Sequence, residues 1–331
     1  MELSPNTIYE EYVNNKLSKD TAINLLTSIL ENYDNDKIRE ESIKVLSKIE
    51  FVDENLYDLF ESLLTSDSSE VIRNAAAIYI CEHHINKSLT VFKWTIRHEK
   101  SFQCLLTVIK ALVKINSKES RAEIIDQIKK IRKLQYINAE KGYENRKYKE
   151  ALKPLIKRNK INSYSNKQLG DILINFFTIR QLIKEFPNVY FELNSEDVLI
   201  NGLDLSDYLE FEVKGTPWGW KNNIDSVSKI IGLKNLQNLQ NLNLANNQIH
   251  DLKALVEMKS LTHLDLSNNK LSDPQNIEYL KQIPLLEVID LRGNDLANHI
   301  QSTDFSPNTR ILKENSLIDL EERLDKRFGV N

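Results

Sequence analysis

Leu239-Gln-Asn-Leu242-Asn-Leu244-Ala-Asn-Asn247-Gln-Ile249 is followed by Leu261-Thr-His-Leu264-Asp-Leu266-Ser-Asn-Asn269-Lys-Leu271, and then by Leu286-Glu-Val-Ile289-Asp-Leu291-Arg-Gly-Asn294-Asp-Leu296. One frame fits all three stretches, with aliphatic residues at its first, fourth, sixth and last positions and an asparagine at the ninth. It returns after 22 and then 25 residues. A unit this short cannot bury its own apolar side chains, so successive units must stack with their leucines pointing into one continuous core. The asparagine is the polar exception. Turned inward, its amide can hydrogen-bond backbone groups that a curving loop leaves unpaired. Asn247, Asn269 and Asn294 are therefore read as structural and not as a site.

The frame resembles the leucine-rich repeat, in the short class found in phosphatase regulators, spliceosomal adaptors and bacterial internalins. The resemblance covers about residues 198–300, with Leu233 and Leu236 leading in and Leu252 and Leu255 between units. It lapses between Leu205 and Leu236, where Gly215-Thr-Pro-Trp218-Gly-Trp220 reads as an insertion or a degenerate repeat. It implies an α/β solenoid with one strand per unit. Side chains alternate along a strand, so the residues between the inward leucines line the concave face: Asn241, Asn243 and Ala245, then His263, Asp265 and Ser267, then Val288, Asp290 and Arg292, with Asp204 extending the column.

The flanks of the array carry their own signals. Upstream, Val189, Phe191 and Leu193, the polar turn Asn194 to Asp197, and Val198, Ile200, Leu203 and Leu205 alternate with a period near two. That pattern predicts a β-hairpin, a natural cap for the first unit. Downstream, Leu317, Leu320, Leu324 and Phe328 fall on one helical face, which predicts an amphipathic helix over 316–328 covering the open end.

The N-terminal half changes period. Helix-start residues precede each apolar stripe, at Ser4 before Pro5, Ser18, Asp36, Asp53, Ser69, Ser88, Ser101 and Ser117. Ile23, Leu26 and Leu30, or Ile38, Ile43, Leu46 and Ile49, recur at three-and-four spacing, giving each helix one buried stripe. Every second helix begins at Asp36, Ser69 and Ser101, intervals of 33 and 32 residues, a period of two-helix repeats. Asn35-Asp-Lys-Ile-Arg39-Glu-Glu-Ser42 and Ser69-Glu-Val-Ile-Arg73-Asn-Ala-Ala76 resemble the start of the inner helix of HEAT-like repeats. That resemblance implies an arginine tied to the neighbouring repeat and small residues, here Ala75, Ala76 and Ala77, where helices touch. Phe102, Gln103 and Leu106 depart from it in the third repeat.

The fold class that follows is a multidomain solenoid: all-α two-helix HEAT-like repeats over 1–160, a helical junction over 161–187, and a leucine-rich repeat domain over 188–331 with an N-terminal hairpin cap and a C-terminal helical cap. The junction rests on Ser165 and Gln168, spaced as a capping box, ahead of the stripe Leu169, Ile172, Leu173, Phe176, Phe177, Ile179, Leu182 and Ile183, which must end before Pro187.

Composition removes several chemistries. Only 8 of 331 residues are glycine, about a third of the usual share, and neither G-x-G-x-x-G nor G-x-x-x-x-G-K-S/T occurs, so the common phosphate-cradling loops are missing. The net charge of -4 from 44 basic and 48 acidic residues gives no drive toward nucleic acid or an anionic membrane. The longest apolar run, Ala75–Cys81, is far short of the roughly 20 residues a bilayer requires, so no membrane insertion is expected. Two cysteines without a basic-then-apolar leader imply a reducing, cytoplasmic setting.

Cys81, His84, His98 and Cys104 superficially have zinc-finger spacing. The helix between them, from about Ser88 to Arg97, is near 15 Å long at ~1.5 Å per residue and holds the two pairs apart, so no metal and no cofactor is expected. No catalytic residue is named either: His98-Glu99 lacks the second histidine of a zincin, and no G-x-S-x-G occurs.

Two surface features remain. Residues 126–160 hold twelve basic and four acidic residues, a local balance of +8, interleaved with Tyr136, Tyr143 and Tyr148. Such a run is a solvated helix face or a surface for RNA or an acidic partner. The concave strip and the Trp218–Trp220 loop suit protein recognition, since large aromatics anchor interfaces; the plain reading is that Asp in Leu-Asp-Leu is common in these repeats and the tryptophans cover the first coil. The resulting expectation is a non-enzymatic scaffold or adaptor with one or more protein partners and no small-molecule substrate, regulating a switch enzyme such as a GTPase or phosphatase. Its partner-binding residues are Asn241, Asn243, His263, Asp265, Asp290, Arg292, Trp218 and Trp220. The alternative is a nucleic-acid-associated scaffold using the basic stretch 129–160.

Overall fold

A computed structural model describes residues 4–49, 54–133, 143–207 and 222–313. The Trp218–Trp220 loop, Tyr136 and the 316–328 helix lie outside the described residues. The chain divides into two compact units, Met1–Leu134 with Ile156–Leu173, and Gln135–Leu155 with Ile174–Asn331.

The first unit is helical: α1 (Pro5–Val13), α2 (Lys19–Asn32), α3 (Asp36–Lys48), α4 (Glu54–Ser66), α5 (Glu70–His83), α6 (Leu89–His98), α7 (Phe102–Ile115) and α8 (Lys118–Lys133). Ser4 and Ser18 cap α1 and α2 by accepting the N–H of Thr7 and Thr21, and Ser117 accepts the N–H of Ser120 in α8. The cap of α3 is Asn35, one residue before the expected Asp36. Ser69, Ser88 and Ser101 precede their helices without a side-chain capping bond. The Ser69 hydroxyl instead donates to Asp36 Oδ2 at 2.6 Å, 33 residues back.

The helices pair as α2 with α3, α4 with α5 and α6 with α7. The second members stack, α3 on α5 on α7, and α4, α6 and α8 adjoin one another. Ala76 and Ala77 are wholly buried, which lets α5 sit close to its neighbours. Arg39 pairs with Asp67. Arg73 grips Glu99 through two bonds, Nε to Oε2 at 2.7 Å and Nη2 to Oε1 at 3.0 Å. Each acid also accepts backbone N–H groups at the start of the next stacked helix, Asp67 from Ser69 and Glu99 from Lys100 and Ser101. Burial alone would raise the pKa of Glu99, but the Arg73 guanidinium and those N–H donors outweigh it and hold the carboxyl at about 2.

Helix α9 (Tyr143–Lys157) and helix α10 (Asn166–Glu185) follow. The capping box of α10 forms reciprocally: Ser165 N–H donates to Gln168 Oε1 at 2.8 Å, and Gln168 N–H donates to Ser165 Oγ at 3.2 Å. Through Leu173 this helix belongs to the first unit, where Gly170 lies against Val113 and Ile109 of α7; a Cβ at Gly170 would run into the Val113 side chain. Gly170→Leu is accordingly expected to lower stability by about 1–3 kcal/mol through overpacking, read as a shift in the urea midpoint without a change in far-UV circular dichroism.

In the second unit, β1 (Tyr190–Leu193) and β2 (Ile200–Asp204) form the antiparallel hairpin. β3 (Asn241–Asn243), β4 (His263–Asp265), β5 (Val288–Asp290) and β6 (Arg310–Leu312) continue from β2 in parallel, giving one sheet in the order β1-β2-β3-β4-β5-β6. Leu203, Leu242, Leu264, Ile289 and Ile311 share a register row. The first four of these lie in the buried core. Short helical turns at Val227–Lys229, Leu233–Asn235 and Lys253–Glu257 and the helix α11 (Gln275–Leu280) return the chain between strands.

The strand β6 extends the array one unit past the third leucine frame. Thr309-Arg-Ile-Leu312 supplies only a fragment of that frame, so the pattern did not announce it.

The asparagines form a column. Asn269 Nδ2 donates to Leu244 O and Leu266 O, both at 2.9 Å, while its Oδ1 accepts the Ile249 N–H at 2.9 Å. Asn294 repeats this toward Leu266, Leu291 and Leu271, and Asn247 toward Leu205, Leu244 and Ile224. The residue before each is left-handed, with φ of 58° at Asn246, 55° at Asn268 and 70° at Gly293. Asparagine tolerates that region where most residues do not, so two of these turns dispense with glycine. At Gly293 a Cβ would also meet the Asn268 side-chain amide, which would have to turn aside to admit it.

Candidate functional site

The face of the sheet opposite the leucine row carries two rows of side chains. One runs Glu192, Gly202, Asn241, His263, Val288 and Arg310; the other runs Tyr190, Asp204, Asn243, Asp265, Asp290 and Leu312. At Gly202 the missing side chain leaves room for that of Glu192, whose atoms stand 3.1–3.4 Å from where a Cβ would be. Asn241, His263 and Arg310 are exposed, whereas Asn243 and Asp265 are half-buried.

The acidic row has a local task. Asp265 Oδ1 accepts the N–H of Ser267 at 2.9 Å and its hydroxyl at 2.7 Å, and Asp204 does the same with Ser206. Asn243 accepts the Ala245 N–H at 3.0 Å. Asp290 and Arg292 are buried against each other, with Nε donating to Oδ1 at 2.9 Å and Nη2 to Oδ2 at 2.6 Å. Each side chain thus caps the end of its own strand two residues on. Of the residues read as a recognition strip, Asn241 and His263 stand outermost, Asn243 and Asp265 lie half-covered beside them, and Asp290 and Arg292 are withdrawn from solvent.

The basic stretch is placed differently from its sequence reading. Tyr148 does not alternate with cations on a surface. It is fully buried, its ring centroid 5.2 Å from that of Phe176 and 5.9 Å from that of Phe191. Desolvation pushes its phenol well above the usual range. A wholly buried ring offers no face to a nucleic acid base, so the interleaved-tyrosine reading is corrected at this position. The signal was present as Tyr148, Leu152 and Leu155, one helical stripe, all three buried. Lys147 next to it lies 4.1 Å from the Tyr190 ring centroid and donates to Phe191 O, and Arg146 pairs with Glu150 along α9.

Cys81, His84, His98 and Cys104 do not converge. Cys104 is buried within α7, His84 packs against the rings of Tyr57 and Tyr79, and His98 stacks on Trp94. Burial raises the thiol pKa of both cysteines, which removes thiolate character. Among the described residues no group of three or more His, Cys, Asp or Glu side chains is arranged to hold a metal ion, and no helix is long and apolar enough to cross a membrane. At the other end of the strands a polar cavity of about 280 Å³ is lined by Asn194, Asp197, Asn201, Asn238, Gln240 and Ser260. It holds one carboxylate and no histidine, hence no nucleophile–base pair.

A family model for leucine-rich repeats, spanning two copies, matches residues 237–279, which contain β3, β4 and most of α11. Repeats of this family commonly mediate protein–protein interaction and are typically non-enzymatic. No curated protein and no solved structure matches the chain.

Proposed function

We propose that this protein is a non-enzymatic scaffold or adaptor that holds a protein partner on the open face of its parallel sheet. The observation carrying the proposal is the row Asn241, His263, Val288 and Arg310, four side chains on four adjoining strands inside and beside the region of family resemblance. A repeated strand face offers a long recognition surface with little enclosed volume, which suits a protein better than a metabolite. In this reading the strands from β2 onward form a leucine-rich solenoid and α2 to α8 a HEAT-like array, working in a reducing compartment. The partner is a switch enzyme such as a GTPase or phosphatase, and Trp218 and Trp220 add to the same contact. The nucleic-acid alternative is weakened by the burial of Tyr148.

The test is affinity purification with Asn241→Ala combined with His263→Ala. These substitutions trim the exposed row and leave the capping aspartates untouched. A partner captured by the unaltered chain is expected to be lost, with at least about a tenfold drop in affinity, while the melting temperature stays unchanged. Full retention of the partner rejects this face.

A further inference from the structure

A second surface stands on α6, independent of the sheet face. Trp94 is 44% exposed, and an exposed indole is a favoured anchor of protein interfaces. It stacks on His98 one turn later, with ring centroids 4.4 Å apart at 24°, and His98 Nδ1 lies 2.7 Å from the Trp94 carbonyl oxygen. The imidazole is thereby held against one face of the indole. Next to the pair opens a cavity of about 200 Å³ whose walls include Leu64, Thr65 and Thr95, with Arg73 and Glu99 also lining it. Sites for whole small molecules run to roughly 300 Å³ and above. This one has room for a single large side chain.

The charges around the cavity are sorted by depth. Asp67, Glu99 and Glu123 are 9%, 4% and 2% exposed at their side chains, and each is paired, with Arg39, Arg73 and Arg97 respectively. Outside them Arg97, His98 and Lys100 face solvent. The exposed Glu119 on α8 is offset by Lys93 and Lys118. The rim is therefore aromatic and adds the positive charge of Lys100, the charge of Arg97 being matched by Glu123, over a floor whose acids are already neutralised.

We propose that this is a docking site for an acidic protein segment carrying one large apolar side chain, which enters the cavity against Trp94 while its carboxylates meet Lys100 and the exposed guanidinium of Arg97. A single-stranded nucleic acid would use the same cations and indole. It also requires a basic track along its backbone, and residues 1–134 hold nineteen basic against twenty-one acidic residues.

The experiment uses the full chain with Trp218→Phe and Trp220→Phe, leaving Trp94 as the sole tryptophan of three. Its emission is followed while acidic heptapeptides of Asp and Glu are added, each with a central Leu, Ile or Phe. A matched peptide with central Ser and an oligothymidylate of equal charge serve as comparisons. The expected result is a saturable emission change with at least one apolar-centred peptide. The Ser peptide should bind about tenfold or more weaker, and Lys100→Glu should weaken the apolar-centred peptide by a similar factor. Trp94→Ala, followed with a fluorescein-labelled peptide, should lose binding with its circular dichroism melt unchanged. The proposal is overturned if no peptide gives saturation up to about millimolar concentration, or if the Ser peptide binds equally. It is also overturned if Trp94→Ala leaves binding intact, or if the oligothymidylate binds as tightly as the best peptide.

Discussion

Asn269→Ala is expected to destabilise the second unit by about 3–5 kcal/mol, more than most core truncations of equal size. The alanine leaves no cavity worth that figure. The cost arises because the Asn269 amide satisfies two buried carbonyls, Leu244 O and Leu266 O, and one buried N–H, that of Ile249. Each buried polar group left without a partner costs about 1–3 kcal/mol. Asn269→Asp sharpens the test. It keeps the shape and the acceptor toward Ile249 but replaces the two donors with carboxylate oxygen facing carbonyl oxygen, so it should be at least as damaging as alanine at neutral pH. Urea unfolding with fluorescence and circular dichroism checks both variants. Should Asp prove milder than Ala, the donor half of the column would not be the reason for asparagine here.

The second large effect belongs to the first unit. Glu99→Ala leaves the Arg73 guanidinium, only 19% exposed, with the Asp67 and Ser68 carbonyls but no counter-charge from Glu99, and breaking such a pair costs up to about 3–5 kcal/mol. The same contact sets an acid dependence. The Glu99 carboxyl is depressed from an ordinary 4.5 to about 2, so its contribution is fully present above pH 4.5 and is lost as the pH falls toward 2. A shift of that size corresponds to about 3 kcal/mol. Glu99→Gln carries no titrating group, so the stability difference between it and the unaltered chain should narrow as the pH drops through this window. Parallel pH profiles for the two proteins would remove Glu99 as the source.

The leucine frames displayed the sheet region because three copies of one spacing leave little freedom, and the asparagine column followed from backbone bookkeeping in a turning chain. The 33-residue helical interval likewise appears in space as direct bonds between Asp36 and Ser69 and between Asn74 and Thr107. The site was less legible. Asp204 and Asp265 look like recognition residues in isolation, yet the Ser two positions later in each case signals a local cap. Tyr148 was drawn toward a surface role by its charged neighbours, although its burial is decided by Phe176 and Phe191, far off in sequence. The exposure of Trp94 is not legible in the sequence, because it depends on which side of α6 its neighbours cover. No spacing rule carries that information.

The asparagine column also has a direction. Asn247, Asn269 and Asn294 each reach back to the preceding coil, bonding Leu205 O, Leu244 O and Leu266 O, and none of these bonds points forward to the coil that follows. Each new unit therefore completes the one before it, and in turn leaves a carbonyl and an N–H that the asparagine of its successor must satisfy. In evolutionary terms the array can lengthen by duplicating a whole unit with its own asparagine, and the copy arrives carrying the group that fastens it. A gain or loss of residues between a strand and its asparagine would shift that amide away from its carbonyls, whereas the return segment varies freely, as the intervals of 22 and 25 residues show.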